Sequence, residues 1–199
     1  MSTSSNEAIG LHADRLPHTD PIKRSHILQH SSHSPALFRR FVPMSYIEAS
    51  QALYNSRLQP HFGPPAGCSP STIAQLERQF DCPFPAAYRE FLLWLGEHRE
   101  GPFVGSDCFP EHLARNNEWL PELLAENRIQ FPLPPHFLTF FLHQGYLGVW
   151  FALPAPSDDP PVWVFNEAST PQFEQRPHFS EWLLEFMSEA AGMVEQRDE

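Results

Sequence analysis

The apolar positions of this chain change their period along its length, and each change marks an element. Residues 1–36, rich in Ser, His and Pro, show no period at all. Such a segment buries too little apolar surface to offset the entropy of ordering it, which predicts a disordered tail over 1–36 and a single folded domain over 37–199. In Ser45-Tyr46-Ile47-Glu48 the Ser-x-x-Glu spacing is that of a capping box, where each side chain satisfies a free backbone donor, so a helix is expected over 46–57. Pro60, Gly63, Pro64, Pro65 and Gly67 then break the chain until Ser69-Pro70, an N-cap followed by proline at the first helical position. The helix opened there carries Ile73, Leu76 and Phe80 on one face. After Cys82-Pro83-Phe84-Pro85, the residues Tyr88, Phe91, Leu92 and Leu95 fall at i, i+3, i+4, i+7, the stripe of a helix buried along one side. Gly96 and Gly101 bracket its exit. Leu113, Leu120, Leu123 and Leu124 give residues 110–128 a helical pattern that Pro121 should divide in two.

From residue 137 the pattern shortens. Residues 137–142, 149–153 and 162–165 are aromatic and β-branched runs separated by Gln144-Gly145 and by the Pro/Asp loop 154–161, which reads as three strands of an antiparallel meander. The first run is apolar apart from Thr139 and should be central. Phe179, Trp182, Leu183, Phe186, Met187 and Ala190 return to helical spacing, giving a helix that covers the sheet. Helices, then strands, then a helix make an α+β domain: an antiparallel sheet of at least three strands packed against several helices. In Val149-Trp150-Phe151 and Val162-Trp163-Val164, alternation sets each tryptophan on the face opposite its neighbours. Two arrangements follow: Trp150 and Trp163 form an exposed pair, a common binding anchor, or a helix or the tail covers them as ordinary core.

With 199 residues, 41% of them hydrophobic, the chain has enough apolar material for one core. Seventeen Phe and five Trp make that core aromatic, and 22 Pro exclude a coiled coil or a plain helical bundle. Thirteen Lys+Arg face 24 Asp+Glu for a net charge of −11; five cations and three anions lie in residues 1–40, which leaves −13 on residues 41–199. The single lysine is Lys23, so a basic patch for gripping phosphate backbones is not on offer and no direct nucleic-acid ligand is expected. Residues 1–10 lack a cationic start followed by an apolar run, and no apolar stretch approaches the roughly 20 residues that span a bilayer. Neither a secretory signal nor a membrane partner is expected, and the expected localisation is cytoplasmic. Cys68, Cys82 and Cys108, odd in number and widely spaced, fit reduced thiols.

Patterns that carry chemistry are few. His26, His30 and His33 share an i, i+4, i+7 spacing, but no carboxylate or cysteine completes a ligand set, so solvated side chains and no metal are expected. The cysteines lack C-x₂-C spacing. Gly-x-Ser-x-Gly is absent, Gly105-Ser106-Asp107 reads as a turn, and no phosphate-cradling glycine loop occurs, so neither a cofactor nor catalysis is expected. Asp158-Asp159, between Ser157 and Pro160-Pro161, reads as a solvated hairpin tip rather than an acid/base pair.

Several strings carry a resemblance. Ser71-Thr72-Ile73-Ala74-Gln75-Leu76-Glu77, Phe84-Pro85-Ala86-Ala87-Tyr88-Arg89-Glu90-Phe91-Leu92-Leu93, Pro161-Val162-Trp163-Val164-Phe165 and Phe179-Ser180-Glu181-Trp182-Leu183 occur in that order. Together with the stretch 140–150, they resemble the SUKH superfamily of Smi/Knr-like domains over about residues 68–190. The chain departs from that pattern in placing His178 where a capping Ser or Asp is usual. The resemblance implies binding rather than turnover, since the bacterial members are typically immunity proteins that occupy a toxin, often a nuclease. A regulatory scaffold of the same fold is the alternative, and an enzyme a more distant one. The partner expected is therefore a protein, a basic toxin domain. Charge and alternation place its contacts at Asp107, Glu111, Trp150, Asp158, Asp159, Trp163, Glu167 and Glu174.

Overall fold

A computed structural model describes residues 45–197. The expected tail lies outside the described residues, as do His26, His30 and His33. Along the chain follow α1 (Glu48–Leu53), a π-helical turn (Tyr54–Leu58), α2 (Gln59–Phe62), α3 (Pro70–Gln79), α4 (Ala86–Leu95), β1 (Ser106–Asp107), a 3₁₀ turn (Pro110–His112) and α5 (Leu113–Glu126). They are followed by β2 (Phe137–His143), β3 (Leu147–Ala152), β4 (Val162–Asn166), β5 (Phe173–Arg176) and α6 (Phe179–Glu195). The strands form one antiparallel sheet in the order β1-β2-β3-β4-β5, so the chain is α+β as its pattern predicts. The meander gains a strand at each edge, and β3 rather than β2 is its centre. No described helix is long and apolar enough to cross a membrane.

Helix starts follow the local chemistry, with one exception. Ser69 Oγ accepts from the Thr72 N–H at 3.0 Å, capping α3 as its Ser-Pro signature predicts. The capping box at residue 45 does not form. Ser45 Oγ and the Tyr46 N–H instead both donate to Glu90 Oε2 on α4, at 2.7 and 2.9 Å, and α1 starts from Ile47 without a side-chain cap. One charged acceptor serving two donors outcompetes the reciprocal box, and it ties the start of α1 to α4. Helical structure then continues past 57 to Phe62, through the π-helical turn, whose wider winding relieves the clash of the Pro60 ring with the carbonyl of Ser56. Gly63, at φ 78°, ends it. Pro121 does not divide α5. It lies on the solvent side, where water can bond the carbonyl it leaves unpaired, while Leu120, Leu123 and Leu124 anchor the helix to the sheet.

Both faces of the sheet are covered. On the first face α4 and α6 close over Leu138, Phe140, Phe141, Val149, Phe151 and Val162. Tyr88, fully buried, has its ring 5.4–5.9 Å from those of Phe84, Phe91, Phe140, Phe151 and Phe179. A β-bulge lets β2 serve this face twice: Thr139 pairs with Trp150 and Phe141 with Val149, so the intervening Phe140 joins Phe141 on one side. On the second face, Leu120, Leu123 and Leu124 of α5 and Phe131 of the following loop cover Leu142, Trp150 and Phe165. Gly148 makes this approach possible, because a Cβ there would stand 3.0 Å from Leu120 Cδ1. Asn117 of α5 accepts the Thr139 N–H at 2.6 Å and donates to the Phe137 carbonyl at 2.7 Å, replacing ladder bonds beside the bulge.

The 158–160 loop is not a solvated tip. The Asp158 carbonyl accepts the Ala87 N–H in the first turn of α4 at 2.9 Å, and the Pro160 carbonyl accepts the Phe179 N–H of α6 at 2.8 Å. Between them, Asp159 accepts the Ser180 N–H at 3.0 Å through Oδ1 and the Ser180 hydroxyl at 2.6 Å through Oδ2. Asp159 is thus the cap that His178 cannot provide, delivered from another part of the chain, with its charge at the positive end of the helix dipole.

Two outcomes follow for stability. Phe91, 2% exposed, should cost about 3–5 kcal/mol on replacement by Ala, read by denaturant unfolding; a loss below about 1 kcal/mol would contradict the packing. Asp159→Ala should cost about 1–2 kcal/mol through the lost cap, whereas Asp158→Ala, which keeps its carbonyl, should cost under about 0.5 kcal/mol. Equal losses at the two positions would refute the division of roles.

Candidate functional site: a groove beside the last helix

The C-terminal half of α6 runs past the β2–β3 hairpin, and a groove of about 540 Å³ opens between them. Gln144 and Gly145, at φ 46° and 75°, both take the left-handed conformation that tight hairpins favour, and so fix this end of the sheet. Phe141 and Phe186 contribute apolar surface, Phe186 being held by Phe103, stacked at 4.7 Å between ring centroids. Val104 and Met193 stand on the margins, 63% and 58% exposed. A second hollow of about 230 Å³ adjoins toward β5 and shares Leu147, Asn166, Phe186 and Glu189 with the first, so the depression is continuous along α6. Its charged groups are Glu189, Arg197 at one end, and Arg176 at the other, which bonds Glu174 at 2.5 Å and Glu185 at 2.6 Å.

Ser106 Oγ and His143 Nδ1, on paired strands, lie 2.8 Å apart at the groove's edge. Among the described residues no carboxylate is ion-paired with this histidine, so the geometry is that of a cross-strand hydrogen bond rather than an assembled nucleophile and base. Ser106 and Asp107 form β1 and not the expected turn. All three cysteines are free thiols, and burial pushes the Cys68 thiol up to about 12 and Cys108 higher still, leaving neither available as a thiolate near neutral pH. No group of three or more His, Cys, Asp or Glu among the described residues is arranged to hold a metal ion.

The contacts expected from the sequence do not converge on one surface. Trp150 is fully buried under α5 and Phe131, which rules out the exposed tryptophan pair; alternation gives the correct face, but that face is covered. Trp163 is half-buried beside Phe131 and Phe173. Asp107 is bonded to Arg115 at 3.1 Å, and Glu111 to Arg99, whose hydrogen bond holds that carboxyl below its usual range. Asp159 caps α6, while Asp158 and Glu167 are exposed. Of the eight residues only Glu174 lines the groove. Sequence reasoning missed Phe62, Val104, Glu189, Met193 and Val194. The available signal was the apolar stripe of α6, which continues through Met193 and Val194 beyond what the sheet beneath requires.

Among known families, the SMI1 / KNR4 family (SUKH-1) matches residues 67–185. That span runs from the approach to α3 into the first half of α6 and takes in all five strands. No individual curated protein matches the chain.

Proposed function

Since the chain belongs to the SMI1 / KNR4 family (SUKH-1), we propose that it is a non-enzymatic protein-binding module, an immunity protein that neutralises a nuclease toxin by direct occupation. The observation that carries this reading is the joining of a strongly acidic body, −13 over residues 41–199, to an open groove with exposed apolar side chains. A nuclease presents cationic surface because it binds phosphate. An acidic protein with an apolar foothold is complementary to that surface, through long-range attraction first and burial afterwards. Asp158 and Glu167, exposed and with no cationic side chain paired to their carboxylates among the described residues, are suited to the attraction. Glu111 and Glu174 keep a residual negative charge because each shares one arginine with a second carboxylate, Arg99 with Glu97 and Arg176 with Glu185, whereas Asp107 is neutralised by Arg115.

Titration against the toxin encoded beside this chain's gene tests the reading. Raising salt from about 0.05 to 0.5 M shortens the screening length from roughly 14 to 4 Å, so the association rate should fall about tenfold or more while the dissociation rate changes little. Asp158→Lys combined with Glu167→Lys should slow association in low salt with folding intact. Absence of binding, or association indifferent to salt and to both charge reversals, would overturn it.

A further inference from the structure

We propose that the groove beside α6 receives one amphipathic helix of the partner, apolar along the side that enters and carrying Arg or Lys at its flanks. The inference rests on the protein-binding reading and names the surface and the partner element. From Glu185 to Arg197 the depression follows about 18 Å of helix axis, the length of a partner helix of three turns. Phe186, Ala190, Met193 and Val194 recur at helical spacing along its α6 side, and Val104 faces them across the opening. This is the i, i+4, i+7 ladder into which the ridges of another helix fit. Val104 and Met193 are among the few large apolar side chains exposed in the described residues, and both stand on this one groove.

The charges choose the occupant. Glu185 and Glu189 lie one turn apart on α6, so cations one turn apart on a partner helix meet both. Glu189 has no cationic partner among the described side chains, and Glu185 shares Arg176 with Glu174, so each retains uncompensated charge. A second copy of this chain is a poor occupant, because it brings another −13 to the same surface.

The test uses the full chain, isotope-labelled for NMR, and two synthetic 14-residue peptides of identical Leu/Lys composition. In one, the leucines fall on a single helical face; in the other they are scrambled. The faced peptide should bind at least about tenfold more tightly and shift the methyl signals of Val104, Met193 and Val194 first. Val104→Asp and Met193→Asp should each weaken it about tenfold without lowering the melting temperature, since both side chains are more than half exposed. Equal affinity for the two peptides, or shifts mapping elsewhere, would overturn the groove while leaving recognition of basic partners standing. Failure of both peptides to bind would overturn the groove and count against recognition of basic partners as well. Self-association abolished by Met193→Asp would assign the groove to a second copy and overturn the proposal.

Discussion

Strands β2 and β3 carry apolar side chains on both faces, and the arrangement of the other elements answers that constraint. A sheet with one polar face needs a single layer of cover; this one needs two. Tyr88, Phe91, Phe179 and Leu183 close the first face from α4 and α6. Leu120, Leu123 and Leu124 close the second from α5, on a helix brought close by Gly148 and held at the bulge by the two hydrogen bonds of Asn117. The energetic scale favours this solution: each large side chain withdrawn from water contributes about 1.5–3 kcal/mol, whereas the exposed ion pairs around Arg99 and Arg176 contribute about 1 kcal/mol or less apiece.

With both faces covered, the two ends of the sheet differ in what they do. At one end, residues 158–160 supply three hydrogen-bond acceptors in succession to the first turns of α4 and α6. That end is committed to structure, and Asp159 with it. At the other, Phe186 and Val194 pack on the core from one side and, with the exposed Met193, open onto the groove from the other. Along α6 the N-terminus is capped and buried, whereas the C-terminal half buries Met187 and Ala191 on one side and exposes Met193 on the other.

How much of this was legible in the sequence depended on the range of the interaction. Ser69-Pro70, the Tyr88–Leu95 stripe and the three inner strands are local patterns, and each formed where its period placed it. Alternation put Trp150 and Trp163 on one face correctly. What alternation does not encode is whether a distant helix lies over that face, and α5 does. Capping failed for the same reason: Ser45 found Glu90, and Ser180 found Asp159, partners 45 and 21 residues away. Charge was legible as a total and misleading as a map, since Asp107, Glu111 and Glu174 are engaged by arginines that only the fold brings near. Periodicity offered the α6 side of the groove but not its opposite wall, because Val104 comes from a loop and joins the α6 residues only in three dimensions.

The central claim is that the second face of the sheet is closed, so that Trp150 is core and not a binding anchor. Exchange of the tryptophan indole N–H protons with deuterated water, followed residue by residue by NMR, tests it most directly. The Trp150 indole, fully buried, should exchange only as slowly as the β3 amides, whereas that of Trp119, on a side chain 46% exposed, should exchange at once. Trp150 exchanging as fast as Trp119 would mean that the face is open and that α5 and Phe131 do not close it.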